Sequence, residues 1–276
     1  MEQSGLFIPA TTIDEVIAAL EKIIADAIHT NSRAGYFATL YLKVTSRVKE
    51  GIANNQFQNG ARMEELDVIF ANRYLEAYDQ WQHQKECAAS WQFAFQETEK
   101  ASVLILEHLL LGISAHINLD LGIATVQTQI RSGAPLQDIH YDYDTMNAII
   151  ASLTYQTLAQ LDKVSPLLSL LGLHNGNSNS VLIQFSIDNA RDGAWCFAEE
   201  LDGKTGADFT ACIHERDQNI LQLGRSLIGQ TGALALTTWL IHLFEWKKPS
   251  QIITALGINQ KKYFTVGKTL YIKQSA

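Results

Sequence analysis

The stretch Leu104–Gly122, LILEHLLLGISAHINLDLG, decides how this chain is read. Its apolar residues do not keep to one side: Leu104, Ile105, Leu106, Leu109, Leu110, Leu111, Ile113, Ile117, Leu119 and Leu121 cover most directions around a helix. A helix that is apolar all round is normally enclosed by other helices. Yet it carries Glu107, His108, His116, Asn118 and Asp120, and buried polar groups must be paired or put to use. His108, Gly112, His116 and Asp120 follow one another at i+4, drifting only about 40° per step, so they share one slowly turning stripe. A His–xxx–Asp pair can supply two ligands to a divalent metal such as zinc, or an imidazole steered by a carboxylate. Gly112 leaves room for a ligand or for a closely packed helix. Asn118 points away from Asp120, toward a different neighbour, and Glu107 lies off the stripe.

Outward from this segment the chain reads as helix after helix. No proline falls between Pro9 and Pro135, and apolar residues recur three and four apart. Thr12 and Glu15 have capping-box spacing and open a helix reaching Thr30. Further helices are expected over 34–54, 63–81, 86–98 and 100–130, and after the Ser132-Gly133-Ala134-Pro135 loop over 143–162, 180–201, 208–228, 232–246 and 249–256. The clearest loops are 131–142, ending in His140-Tyr141-Asp142-Tyr143-Asp144, and 172–179. The tail alternates about Gly267-Lys268 and suggests a small hairpin. The expectation is an all-α protein, a single multi-helix domain over 1–276 around a buried central helix.

Composition supports a large interior. The chain has 276 residues, 47% hydrophobic, and its charged fraction is 18%, below the roughly 25% usual for soluble proteins. That excludes a disordered chain. The 29 acidic against 21 basic residues leave a net charge of −8, and no basic cluster offsets it, so nucleic-acid binding is not expected. Cys87, Cys196 and Cys212 are scattered and odd in number, which suits a reducing, cytoplasmic setting rather than a disulfide framework. The apolar stretches 102–126 and 227–244 are interrupted by polar residues and glycines. They read as buried helices, not transmembrane segments.

Other residues could join the central stripe. Arg73 interrupts the inner face of the third helix, within Phe70-Ala71-Asn72-Arg73-Tyr74, and would seek Asp120 or Glu107. Asn72 and Tyr74 beside it are candidate substrate contacts, as is Asn118. Arg191, next to Asp192 and one turn from Trp195, offers either a surface ion pair or further contacts to a substrate. His242 and Glu245 suit core packing beside a helix end, or a third metal ligand. His214-Glu215-Arg216-Asp217 reads as a solvated run. There is no phosphate loop, nucleotide fingerprint, GxSxG elbow or HExxH.

The runs Gly35–Tyr41 with Thr45, Met63–Asp67 and Phe70–Tyr74, then Trp91, His108–Gly112, Ala115–Asn118 with Asp120-Leu121, and Arg191-Asp192 with Ala194-Trp195 resemble a helical family known only as a domain of unknown function. The resemblance spans about 34–202, leaving 203–276 unmatched. It implies a helical fold and a site around His116 and Asp120, but no activity. A weaker similarity, carried by His116 and Asp120 alone, is to zinc-dependent phospholipase C. Three readings follow. In the first, His116 and Asp120, helped by His108 or His242, hold a metal that activates water for hydrolysis of a small apolar or amphiphilic molecule. In the second, without metal, His116 is the acid/base, Asp120 orients it and Arg73 stabilises negative charge, as an isomerase, lyase or cyclase would require. In the third, the protein is a non-catalytic carrier or interaction module. A sealed, fully paired His116 would favour a structural role. Oligomeric state is left open.

Overall fold

The computed structural model describes residues 7–171, 187–228, 231–257, 260–264 and 270–274. Among them are eleven α-helices: α1 (Ile13–Thr30), α2 (Gly35–Ala53), α3 (Gly60–Gln82), α4 (Ala89–Thr98), α5 (Ile105–Ala115), α6 (Gly122–Ser132), α7 (Gln137–Val164), α8 (Ile187–Leu201), α9 (Gly206–Ile228), α10 (Gly232–Phe244) and α11 (Pro249–Gly257). A π-helical turn, His116–Leu121, joins α5 to α6, and a 3₁₀ turn, Leu168–Leu171, follows α7. Two short strands, Gln260–Phe264 and Leu270–Gln274, pair antiparallel with Gln260 opposite Gln274, as expected of the tail. The expected turn at Gly267-Lys268 and the loop 172–179 lie outside the described residues.

The α5–π–α6 segment forms the axis. α2, α4 and α9 pack against α5; α3, α8 and α9 against the π turn; α3 and α8 against α6. Leu104, Leu109, Leu119, Leu121, Ile123 and Ala124 are all essentially inaccessible, so the all-round apolar pattern buries as expected. The segment is long and apolar enough to cross a membrane, but it is buried inside the protein, where a core helix has the same composition. Two glycines set its distance from its neighbours. A Cβ on Gly112 would lie 2.6 Å from the Phe37 ring, so this position admits the close helix α2 rather than a ligand. A Cβ on Gly122 would lie 2.8 Å from the Ala194 carbonyl oxygen of α8.

Helix α7 begins earlier than expected. Leu136, Ile139, Tyr143 and Met146 form a buried stripe at helical spacing, which carries the polar His140–Asp144 stretch into the helix. Asp142 then caps α3 from outside: its carboxylate accepts the Gln58 N–H at 2.7 Å and the Asn59 N–H at 3.0 Å. The same device recurs twice. Asp217 is buried, not solvated, and accepts the Ala89 and Ser90 N–H groups at 2.7 and 2.9 Å and the Ser90 hydroxyl at 2.6 Å at the start of α4. Glu245 accepts the Ile105 N–H at 3.2 Å at the start of α5 and the Ser165 hydroxyl at 2.8 Å. Each carboxylate meets unsatisfied donors at the positive end of a helix.

Two substitutions test this packing by thermal melting. Gly122→Ala meets a backbone atom that cannot swing aside, and should destabilise by about 1–3 kcal/mol. Asp217→Ala strands two helix N–H groups away from water and should cost about 2 kcal/mol. An unchanged melting temperature in both would contradict the described contacts.

Candidate functional site

The π turn brings His116 and Asp120 into register on the inner side of the axis. A π turn inserts a residue into the helical ladder, and such insertions are frequent at functional sites. His116 Nδ1 lies 3.2 Å from Asp120 Oδ2. Asp120 is 1% exposed and fully engaged: Oδ1 accepts Arg73 Nε at 2.8 Å, and Oδ2 accepts Trp91 Nε1 at 2.7 Å as well as the imidazole. The expected Arg73–Asp120 pair is therefore present, with Arg73 its more exposed, outer member. Burial pushes the Asp120 carboxyl upward, but the Arg73 guanidinium, then His116 and Trp91, outweigh it and hold it below the usual carboxylate range. Asp120 is an anion at neutral pH.

The imidazole is held in an aromatic box. Its ring stacks on Phe70 with centroids 3.6 Å apart and planes 7° apart, and Tyr41 meets it edge-on at 4.5 Å. Phe37 and Trp91 close the box at 5.6 and 5.9 Å. Burial lowers the His116 pKa, and the pull of Asp120 in the other direction does not overcome it. A neutral imidazole beside a carboxylate places its proton on Nδ1, donating to Asp120, and leaves Nε2 as a bare acceptor. Nε2 is buried and has no hydrogen-bond partner within the protein. His116 is sealed but not fully paired.

It is not alone in this. The Tyr74 hydroxyl and Asp67 Oδ2 are also buried without a hydrogen-bond partner, and the buried Tyr41 and Thr45 hydroxyls have only each other. Tyr41 and Tyr74 both contact the His116 ring and each other, with Tyr74 at 6.2 Å from the imidazole and 6.0 Å from Tyr41. Burial, then Asp67 and Asp120, raise the Tyr41 pKa; burial, then Tyr78, raise that of Tyr74, so both phenols keep their protons. Burial, with Glu64 adding, pushes Asp67 up to about 8, so it too is mostly protonated at neutral pH. One buried base thus stands beside two O–H donors, with a neutral acid close to Tyr41.

The other expected members lie elsewhere. His108 packs against Tyr36, with ring centroids 5.8 Å apart, and its charged neighbours are Arg33 and His242, so it does not join His116. Phe37 fills the gap beside Gly112 that separates the two histidines along the axis. Asn72 donates to and accepts from the Ala10 backbone at 2.8 Å on each side, which ties down the chain before α1. Asn118 donates to Ser114 Oγ at 3.3 Å, and its carbonyl accepts Arg216 Nε at 3.0 Å. Arg216, expected in solvent, therefore braces the π turn. Arg191 is buried rather than part of a surface ion pair; it donates to the Tyr143 carbonyl at 2.8 Å and covers the Tyr143 ring. Trp195 donates to Glu199 at 3.0 Å and contacts Tyr143 and His140. These two residues form a separate cluster between α7 and α8.

The metal reading does not fit these residues. Both Asp120 oxygens are committed to a guanidinium and an indole, and a dication would have to sit beside the Arg73 charge. Among the described residues no group of three or more His, Cys, Asp or Glu side chains is arranged to hold a metal. His242 Nδ1 lies 3.4 Å from Glu245 Oε2, and Glu245 caps the start of α5 rather than the π turn. The described surface clefts also miss the site; a cleft of about 910 Å³ is lined by residues such as Arg33, Trp81, Cys87 and Glu99.

The chain belongs to the DUF5995 family, a family of unknown function. The match covers residues 13–230, which includes α1 through α9 and every residue of the His116 cluster, and extends beyond the 34–202 expected from the motifs. No curated protein and no solved structure matches the chain.

Of the site residues, Trp91, Phe70, Phe37, Tyr41, Thr45 and Asp67 receive no role from sequence spacing. Part of the signal is present: Phe37, Tyr41 and Thr45 recur at i+4, and Asp67, Phe70 and Tyr74 at i+3 and i+7, which places polar tips on two inward stripes. Nothing comparable marks Trp91.

The buried titrating groups fix the pH dependence of stability. Burial, with Arg33 and His242 adding, pushes His108 from 6.5 to about 3. The unfolded chain therefore takes up the proton first, and stability tied to neutral His108 is complete above 6.5 and lost as pH falls toward 3. His116 acts in the same direction. Asp67 is the reverse case: stability tied to its proton is complete below its ordinary 3.8 and lost as pH rises through about 8. Denaturant melts across pH should show a shallower acid limb for His108→Phe and a shallower alkaline limb for Asp67→Asn. Limbs parallel to wild type would remove these two groups as the cause.

Proposed function

We propose that this protein is a metal-free acid/base enzyme acting on a small, largely apolar molecule that bears a carbonyl-type oxygen. The observation that carries this reading is the bare, buried His116 Nε2 beside the partnerless Tyr74 hydroxyl and the Tyr41 hydroxyl, whose one neighbour is Thr45. Leaving several polar atoms unsatisfied in a core is costly, each by about 1–3 kcal/mol, and such a cost is tolerated where the groups serve a ligand. His116 Nε2 is the proton acceptor. Asp120 fixes its tautomer and stabilises the imidazolium formed on proton uptake. Tyr41 and Tyr74 are the donors that receive the negative charge developing on the substrate oxygen. Arg73 and Trp91 are positioning residues that keep Asp120 ionised and aimed. Phe37, Phe70 and Trp91 supply apolar walls that favour an amphiphilic substrate. The reaction class is proton abstraction and return, as in isomerases, lyases and cyclases. Access requires a local opening, and the Arg73 side, where burial is least complete, is the natural place for it.

A second reading, a purely structural network, draws on the depth of burial: His116 is 2% exposed. One experiment separates the two. The protein is incubated in D₂O with a panel of small ketones, enones and hydroxyacids, and loss of α-hydrogen signal is followed by NMR. Enzyme-dependent exchange should fall by about 10²–10⁴-fold in His116→Gln. Tyr41→Phe and Tyr74→Phe should also slow it, and Tyr74→Phe should leave the fold as stable or more so, because it removes an unpaired buried hydroxyl. Absence of exchange across the panel, together with a Tyr74→Phe variant that melts below wild type, would leave the structural reading.

A further inference from the structure

Helix α10 is turned the wrong way for a surface helix. Leu236, Trp239, Leu240, Leu243 and Phe244 recur at i, i+3, i+4, i+7 and i+8, the spacing by which a helix ordinarily buries its apolar face. Here that face is outward: these residues are 66%, 57%, 37%, 51% and 58% exposed. The opposite side, with Ile241 fully buried and Leu234 packed on the core, is apolar too and already covered. Trp246, 42% exposed, follows the helix end and lines a cleft with Ile28 and Thr254. A patch of this kind is uncommon on a surface and marks a site of association.

The charges around it indicate what it associates with. Lys247 and Lys248 are exposed directly beyond Trp246. Between Gly232 and Lys248 the sole carboxylate is Glu245, which is buried and engaged with Ser165 and Ile105, so this segment exposes no carboxylate. Leucine and phenylalanine in the middle, tryptophans on the flank and at the end, and a basic pair beside them are the arrangement of a helix that lies in a bilayer interface. A second copy of this segment would offer the lysines no exposed carboxylate. The patch also lies past residue 230, where the family match ends, so it is a property of this chain outside the shared helical unit.

We infer that the outer face of α10 docks on the surface of an anionic lipid bilayer, with its apolar side chains at the acyl boundary and Lys247 and Lys248 at the headgroups. The helix lies flat: it is 13 residues long, too short to cross, and its inner side stays on the protein. The net charge of the chain opposes approach at long range, but that repulsion is screened beyond roughly 8–10 Å at physiological salt, leaving the local contact to decide. This inference is independent of the chemistry assigned to His116.

The test is sedimentation of the full chain with vesicles of phosphatidylcholine alone and of phosphatidylcholine containing phosphatidylglycerol, read alongside tryptophan emission. The chain should bind the anionic vesicles with a blue-shifted emission, and about tenfold more weakly without phosphatidylglycerol. Trp239→Ser combined with Phe244→Ser should abolish binding to both. Lys248→Glu should weaken binding to the anionic vesicles alone; being a surface change, it keeps the test valid if the serine variant fails to fold. Absence of binding to either vesicle would overturn the inference. So would a concentration-dependent dimer that the same serine variant dissolves, since the face would then join two copies.

Discussion

The ionised carboxylate of Asp120, buried on the axis of the protein, is the constraint on which the surrounding architecture depends. A lone charge at that depth is untenable, and three groups from separate elements answer it: the Arg73 guanidinium from α3, the Trp91 indole from α4 and the His116 imidazole one turn away. For all three to reach two oxygens, α3 and α4 must close on the same side of the axis. The π turn supplies the local register that points His116 and Asp120 together. Arg216 then braces the turn from α9, and Gly122 lets α8 come within contact of its end. Removing a partner leaves an uncompensated charge, so the arrangement holds as a unit.

The same economy of charge runs through the helix ends. Asp142, Asp217 and Glu245 each leave solvent to meet the N–H groups at the start of a helix distant in sequence. Carboxylates that the chain might have displayed are used inside it. Glu245 and Glu107 share the start of α5, and burial first of all pushes both to about 7. The low charged fraction of the sequence is thus matched by an interior in which several of the few charges are structural.

Against that background the partnerless atoms around His116 stand out. Many other buried polar groups find partners across long stretches of chain, as Tyr143 and Arg191 do with each other, although both His108 ring nitrogens and Arg62 Nε do not. Around His116, an imidazole nitrogen, the Tyr74 phenol and one oxygen of Asp67 also lack a partner, and the Tyr41 and Thr45 hydroxyls have only each other. Their common location gives the acid/base proposal its physical basis. α10 shows the converse departure, apolar side chains without a covering surface, and the two features together suit a protein that meets a hydrophobic compound at or near a lipid interface.

Periodicity alone determined a good deal here. Helix after helix falls within a few residues of its expected position, because i+3 and i+4 spacing of apolar residues and the lack of proline are local properties. The enclosure of the central helix, the His116–Asp120 pairing and the candidacy of Arg73 were legible for the same reason: each rests on spacing within one helix, or on a charge placed where it needs a partner. Residues assigned by proximity in sequence fared differently. His108 shares a stripe with His116 yet faces Tyr36, because Phe37 occupies the space at Gly112; Asn72 adjoins Arg73 yet holds Ala10. The π turn, the choice of Trp91 as a second donor, the aromatic box and the long-range caps were decided by tertiary structure. Each depends on how far apart two helices lie and how they are rotated. Those quantities emerge only when all the apolar stripes are buried together.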